Sequence, residues 1–366
     1  MKHLIGMLIL LFVGEQLWAQ CCAGGSGSPI AGGTSQGVLA KYQVELSTNF
    51  QFIGSSKFYT HDHLDTHKYF DEFSSSYQYF RLGYGVSEKL TFSIESGYYF
   101  NKKEIGLNND ANKTYDSKGI GDLIIFPRYN VLSLHTPKST TELTLGLGIK
   151  IPLGSYNDST GFVEPFSGKT LYITNPQAVQ PTTGAHDVIF YGFFVKAYPS
   201  KNLKFFANTL YIKKGWNPLG EKAGDFASIG LFASKSILQH VGLAIQLRGE
   251  WVDAMQLNKN ILLYAYPNYD PLATGYKKVF FTPQVSFSKG PVTAYGLVDI
   301  PVYQYVNQTQ VVTQSQFTVG LSYRFYTKAT RFLSTESTDY FCPMCPEVSS
   351  KEPGLCPKCG MDLEHR

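Results

Sequence analysis

The stretch FTVGLSYRF, residues 317–325, alternates large apolar side chains with small or polar ones without a break. The first set is Phe317, Val319, Leu321, Tyr323 and Phe325, and the second is Thr318, Gly320, Ser322 and Arg324. Because successive side chains of a strand face opposite sides, the stretch predicts a strand with one apolar face. Small polar residues and an arginine suit a water-filled lumen, and an aromatic strand end suits a membrane interface. The stretch therefore predicts a strand of a membrane-spanning β-barrel.

The same period of two recurs along the chain. Residues 41–52 alternate strictly, over a length that suits a membrane strand of ~9–11 residues better than a soluble strand of ~5–6. Similar or less regular segments follow at 76–87, 90–100, 119–132, 143–153, 187–198, 202–213, 226–237, 241–251, 279–287 and 291–304. We predict an all-β, transmembrane antiparallel barrel of about twelve strands over residues 40–326. The alternative is a soluble all-β protein.

Connections of two lengths separate these segments. Glu88-Lys89 and the residues 288–291 indicate short turns. Long loops are predicted at 53–75, 101–118, 154–186 and 252–275. Short periplasmic turns and long outer loops are the asymmetry expected of an outer-membrane barrel.

Composition agrees with a barrel and excludes other classes. Charged residues make up 16% and aromatic residues 15% of the chain, yet the mean hydropathy is only −0.13. A helical membrane protein would be far more apolar, because each span needs ~20 apolar residues. The net charge of +4 is small and spread out, so we expect no nucleic-acid partner.

The first twenty residues predict a signal peptide, with a short polar start and an apolar stretch from Leu4 to Val13. Cleavage would leave Cys21-Cys22 near the start of a flexible Gly/Ser-rich segment, residues 21–39. Lipidation of Cys21 is the alternative. An exported chain rich in aromatic strands points to the bacterial outer membrane, with lipid as its surroundings.

Three short strings, in this order, resemble a known barrel family. They are GIGDL at 119–123, GIKIPLG at 148–154 and QPTTGAHD at 180–187. Together they resemble the transporter-like outer-membrane barrels associated with phenol-degradation pathways, over roughly residues 40–326. The resemblance implies an outer-membrane barrel that acts as a passive channel, and it implies no particular substrate.

The end of the chain carries a different signal. Two C-x-x-C pairs, CPMC at 342–345 and CPKC at 356–359, are ten residues apart, and Pro353-Gly354 provides a reversal between them. Two such turns facing each other form a tetrahedral four-sulfur cage that suits Zn²⁺. The predicted ligands are Cys342, Cys345, Cys356 and Cys359. So small a unit has almost no core, so that the metal would supply its folding energy.

Residues 340–363 resemble the heavy-metal-binding domain of metal-efflux pumps and their periplasmic adaptors. That family usually has His where this chain has Cys345, which makes the site softer and favours Zn²⁺ or Cu⁺. Met344 and Met361 are either accessory soft ligands or simple packing residues. Oxidation of the cysteines to disulfides is the alternative to metal binding. We predict a polar linker at 327–339 and a metal-binding knuckle at 340–366, in the periplasm.

Two weaker groups of side chains also suggest metal binding. His61, His63 and His67 lie in the first long loop, where His61 and His63 would share one face of an extended segment and bind a borderline metal. A solvated polar loop is the alternative. Cys21 and Cys22 are vicinal thiols that can capture soft metals, or part of a flexible terminus.

No catalytic motif is present: the chain has neither G-x-S-x-G nor H-E-x-x-H, and we expect no enzyme. The predicted function is a channel or transporter linked to copper or zinc handling through a periplasmic metal-binding tail, with periplasmic metal-efflux components as partners. The alternative is a metal-binding or sensing protein in which the barrel is only an anchor. An open lumen would favour transport, and a lumen plugged by side chains would favour the anchor.

Overall fold

Twelve antiparallel strands close into a barrel. The computed structural model describes residues 37–107, 114–136, 138–164, 166–238, 240–258 and 271–327, together with 340–342, 348–350, 352, 354–356 and 361–365. The barrel strands are β1 (Gln43–Ser55), β2 (Glu72–Gly85), β3 (Leu90–Ile105), β4 (Asp122–Thr136), β5 (Ser139–Pro152), β6 (Asp187–Tyr198), β7 (Leu203–Lys213), β8 (Phe226–Leu238), β9 (Val241–Val252), β10 (Tyr276–Lys289), β11 (Val292–Val306) and β12 (Gln316–Tyr326). Each strand pairs with its neighbours in the chain, and β1 pairs with β12. The predicted fold class and strand number are confirmed.

The structure also contains shorter elements besides the barrel strands. Additional strands are Phe58–Thr60, His63–Asp65, Thr114–Ile120, Ser159–Val163, Thr170–Thr174, Glu221–Lys222, Gln256–Leu257, Thr309–Val311, Tyr340–Phe341, Ser349–Ser350 and Glu364–His365. Two 3₁₀ turns span Pro199–Lys201 and Pro271–Ala273. Within the described ranges, no helix is long and apolar enough to cross a membrane.

The outer face of the barrel is apolar. On β5, Leu145, Leu147 and Ile149 point outward and are about half exposed, and on β12 so do Val319 and Leu321. Every other barrel strand also carries exposed large apolar residues, as Leu231, Leu247 and Val285 illustrate. A continuous apolar surface of this kind is unfavourable in water and suits lipid.

Aromatic side chains are frequent on this surface near the strand ends that connect to the long loops. The register aligns Phe190 with Tyr211, then Ala227, Trp251, Lys277 and Tyr305 on successive strands. At the other end of the barrel, the rings of Tyr323 and Phe325 on β12 are in contact, with their centroids 5.7 Å apart. Aromatic side chains at both ends of the apolar surface mark the two membrane interfaces.

Connections at the two ends of the barrel differ in length, as the sequence predicts. Short connections at residues 86–89, 137–138, 199–202, 239–240 and 290–291 lie at one end. Connections at 56–71, 106–121, 153–186, 214–225, 253–275 and 307–315 lie at the other. Strand β1 starts and β12 stops at the short-turn end, so the chain leaves the barrel there.

Strands reach further beyond the membrane than the sequence indicates. Residues 101–118 were expected to form a loop, but β3 continues to Ile105 and Thr114–Ile120 pairs with it. Lys102 and Glu104 face inward and are buried in this extension. Polar residues occupy both faces here, so that hydrophobic alternation, the signal used for the other strands, is absent.

Inward-facing side chains fill the lumen. Phe126, Tyr191, Phe193, Phe206 and Phe232 form one buried cluster that spans β4 to β8. Charged side chains line the remaining wall, and those less than a tenth exposed include Glu45, Arg81, Glu95, Arg128, Lys150, Asp187, Arg248, Lys278 and Asp299. Most of the charges are paired: Lys150 Nζ lies 2.7 Å from Asp122 and 3.0 Å from Asp187.

Two chain segments add to this filling. Before β1, the chain lies inside the barrel, where the backbone N–H of Leu39 donates to the Thr91 hydroxyl at 2.6 Å. Gly85 is needed at this crossing, because a Cβ there would lie 1.9 Å from the carbonyl oxygen of Ala40. At the long-loop end, the backbone carbonyl oxygen of the buried Gln180 accepts a hydrogen bond from Lys102 Nζ at 2.8 Å. The described lumen is therefore plugged.

A buried carboxylate joins three strands at the seam where the barrel closes. Glu45 on β1 accepts hydrogen bonds from Arg81 on β2 and, at 2.6 Å, from Arg324 on β12. The Glu45 side chain is 1% exposed. Glu45 is therefore the carboxylate that both arginines share inside the barrel.

Substituting Glu45→Gln is expected to destabilise the barrel strongly, because it leaves Arg81 and Arg324 without that counter-charge. Removing one partner of a buried ion pair costs ~3–5 kcal/mol. The measurement is the temperature at which the barrel loses its heat-resistant migration in detergent gels. Lys213→Gln is the control, since Lys213 pairs with Asp225 but is 54% exposed and its loss should cost no more than ~1 kcal/mol. Equal melting of the two variants would contradict the role of Glu45.

Candidate metal centre

The tail is a small three-stranded sheet. Tyr340–Phe341 is its central strand, flanked by Ser349–Ser350 and by Glu364–His365. Both pairings are antiparallel. The chain therefore reverses directly after Phe341, in the stretch that carries the first C-x-x-C pair.

Two turns in this sheet are built alike, and each begins at the first cysteine of a pair. The backbone N–H of Cys342 donates to the carbonyl oxygen of Val348 at 3.0 Å, and that of Cys356 donates to Met361 at 2.6 Å. A bridge between Leu355 and Asp362 extends the second turn into a hairpin. In the described residues, a backbone hydrogen bond thus closes each of the two segments that begin at Cys342 and Cys356.

Cys342 and Cys356 come together in the structure. They are 0% and 1% exposed and form one cluster, against which Val348, Met361 and Leu363 pack. Among the tail residues that the structure describes, no other side chain is buried.

This arrangement fits a metal ion. Two sulfurs are a poor hydrophobic core, whereas two thiolates on facing turns are half of a four-sulfur metal site. The other predicted ligands, Cys345 and Cys359, follow three residues after Cys342 and Cys356 and lie outside the described residues, as do Met344, Cys21 and Cys22. The carbonyl acceptors Val348 and Met361 were not foreseen as part of the turns, although their spacing of six and five residues from the cysteines is a usable signal.

The three loop histidines point in different directions. His61 is not extended, because it has a φ of 59° at the turn between Phe58–Thr60 and His63–Asp65. Its ring stacks on Tyr305 at 5.3 Å, and the ring of His67 contacts Tyr69 at 5.1 Å. The expectation that His61 and His63 share one face of an extended segment is therefore wrong.

The acidic residues of this loop also have other partners. Asp65 accepts hydrogen bonds from the Thr60 hydroxyl and from the backbone N–H of His67, and these bonds lower the pKa of Asp65. His63, whose side chain is 89% exposed, lies 3.4 Å from Asp62. Within the described part of the chain, no three His, Cys, Asp or Glu side chains are grouped as metal ligands. A metal site in this loop rests on the sequence alone.

Comparisons with known proteins agree with both parts of the chain. Residues 340–366 match the heavy metal binding domain family. The barrel is similar to an outer-membrane channel from Pseudomonas putida F1, with a TM-score of 0.57 and 13% identity over 80% of this chain and 98% of that chain. The β domain of the Bordetella autotransporter BrkA gives a TM-score of 0.42 and 9% identity over 78% and 100% of the two chains. No curated protein matches the sequence.

The similarity to the channel shows a barrel fold, and the match to the heavy metal binding domain family is confined to the end of the chain. The identity to the channel is too low to transfer more than its fold. The resemblance of the barrel to the family associated with phenol degradation stays a prediction.

Because Cys342 and Cys356 are both buried in one cluster, Cys342→Ser and Cys356→Ser are each expected to abolish stoichiometric binding of Zn²⁺. Each variant replaces a buried thiolate with a hydroxyl, which zinc accepts poorly. The measurement is metal content after dialysis of the reduced full chain, with His63→Ala as the control that keeps its metal. Retention of zinc by both serine variants, or its loss in His63→Ala, would contradict this assignment.

Proposed function

We propose that this protein is a bacterial outer-membrane channel that acts in heavy-metal handling, with residues 340–366 as its periplasmic metal-binding tail. The buried pair of Cys342 and Cys356 supports this proposal most strongly. The two cysteines belong to a tail that follows the last strand of a closed barrel. A metal captured there would be held beside the membrane.

The shape of the barrel supports the periplasmic assignment. Bacterial outer-membrane barrels have short turns on the periplasmic side and long loops outside. Strand β12 ends at the short-turn end, at Tyr326, and only residues 327–339 separate it from the tail. On this basis the tail lies in the periplasm, within reach of periplasmic efflux components, and the loop at 153–186 faces outward.

The donor atoms favour soft metals. Cys342 and Cys356, with Cys345 and Cys359, would supply four thiolates, which suit Zn²⁺ or Cu⁺. A bound ion would cross-link the two turns and supply the folding energy of the sheet. Val348, Met361 and Leu363 pack against Cys342 and Cys356, and both of these cysteines are shielded from water.

Transport is supported by the fold, because a barrel of this kind is an outer-membrane channel in Pseudomonas putida F1. Passage of a solute would require the segment before β1 and the Gln180 loop to move aside. We propose a transport role and no catalysis, since most of the buried charges of the barrel form ion pairs with each other, as Lys150 does with Asp187.

A second candidate is a metal-binding or sensing protein that uses the barrel only as an anchor. The plugged lumen favours this candidate. Aromatic residues such as Tyr191 and Phe193, together with the Glu45 ion pairs, leave the described barrel packed like a protein core. The two candidates differ in whether this packing ever opens.

Conductance measurements separate the two candidates. Channel activity predicts ion currents from the full chain in planar bilayers, and deletion of residues 37–40 should increase them by removing part of the plug. If the tail regulates passage, Zn²⁺ should change the current of the full chain and leave that of a chain ending at Thr327 unaffected. A full chain that binds zinc but passes no current, with or without residues 37–40, would contradict the channel and support the anchor.

A further inference from the structure

The two turns of the tail differ at one equivalent position. Val348 in the first turn and Met361 in the second accept the backbone hydrogen bond from the cysteine that begins the turn. Both side chains are half-buried, and both pack against the cluster of Cys342 and Cys356. One turn therefore presents a branched hydrocarbon to the sulfurs, and the other presents a thioether.

Backbone contacts of Met361 and of the two residues that follow it fix its place. Leu355 and Asp362 form a bridge next to it, and the N–H of Leu363 donates to the carbonyl oxygen of Gly354 at 2.8 Å. The residue is thus held at the end of a hairpin whose other strand leads into Cys356. Its side chain packs against the cluster of Cys342 and Cys356.

The chemistry of the two side chains differs towards a metal. A methionine thioether is soft and polarisable, and it is a ligand for Cu⁺. Zn²⁺ in proteins takes thiolate, imidazole and carboxylate ligands and makes little use of a thioether. A thioether beside a thiolate site therefore favours one metal over the other, whereas valine at the equivalent position is indifferent.

We propose that Met361 determines the metal preference of the tail and raises its affinity for Cu⁺ relative to Zn²⁺. This inference rests on the proposed metal binding by the cysteines. Met361 acts on an ion held by the thiolates, either as an added sulfur ligand or as a polarisable neighbour. Val348 has no such role.

The test compares substitutions at the two equivalent positions in the reduced full chain under anaerobic conditions. The variants are Met361→Leu, which keeps the volume and removes the sulfur, and Val348→Leu as the matched apolar control. Affinity for Cu⁺ is measured by competition with a chromophoric Cu⁺ chelator, and affinity for Zn²⁺ with a chromophoric Zn²⁺ chelator. Met361→Leu is expected to lower Cu⁺ affinity on the order of tenfold, the usual effect of a residue next to a metal site. Zn²⁺ affinity should stay the same, and Val348→Leu should leave the ratio of the two affinities unchanged.

A gain of function guards against a folding artefact. Val348→Met places a second thioether at the equivalent position and is expected to raise Cu⁺ affinity without raising Zn²⁺ affinity. An unchanged ratio in both Met361→Leu and Val348→Met would overturn the inference while leaving metal binding intact. The proposed function itself would fail if the unsubstituted chain bound neither ion. It would also fail if Cys342→Ser bound both ions with the same affinity as the unsubstituted chain.

Discussion

Closure of β1 on β12 is the constraint on which the rest of the structure depends. In a membrane every backbone N–H and C=O must be paired within the protein, and an open sheet edge would leave a row of them unpaired. Pairing from Gln43 with Tyr326 to Ile53 with Gln316 removes that edge. Closure between the first and last strands of an even-numbered barrel also brings both of their free ends to the short-turn side. The proposed periplasmic position of the tail rests on this closure.

The closing seam explains why the lumen is so densely occupied. Glu45 lies between Arg81 and Arg324, so that the strands on both sides of β1 share one buried carboxylate. The Tyr79 hydroxyl donates a hydrogen bond to Glu95 on the neighbouring strand. Buried aromatic side chains fill the lumen beside the strands from β4 to β8. A lumen of this kind rigidifies the barrel, and any opening would require the segment before β1 and the Gln180 loop to move aside.

The membrane-spanning strands could be predicted because lipid imposes a strict alternation on them. Strand β12 and the residues of β5 show it clearly, and the structure confirms both. Prediction was weaker for β6, since residues such as Ile189 and Phe190 are apolar on both faces, one towards the aromatic cluster and the other towards lipid. The extensions beyond the membrane were missed for the opposite reason, because both of their faces are polar.

The cysteine spacing predicts a turn at each C-x-x-C pair, and the structure shows that the first cysteines of the two pairs, Cys342 and Cys356, are buried together. The spacing did not indicate that Val348 and Met361 occupy equivalent places, because one turn is a residue longer than the other. The histidine loop shows the limit of reading spacing alone: His61 adopts a left-handed backbone and stacks on Tyr305, which separates it from His63.

The central claim is that a closed barrel holds a metal-binding tail on the periplasmic side of the outer membrane. It is tested most directly by two epitope tags, one after Arg366 and one at Gly168, where a Cβ would meet no atom within 4 Å. The account predicts that antibody binds the Gly168 tag on intact cells and reaches the C-terminal tag only after the outer membrane is permeabilised. Binding to the C-terminal tag on intact cells would contradict it.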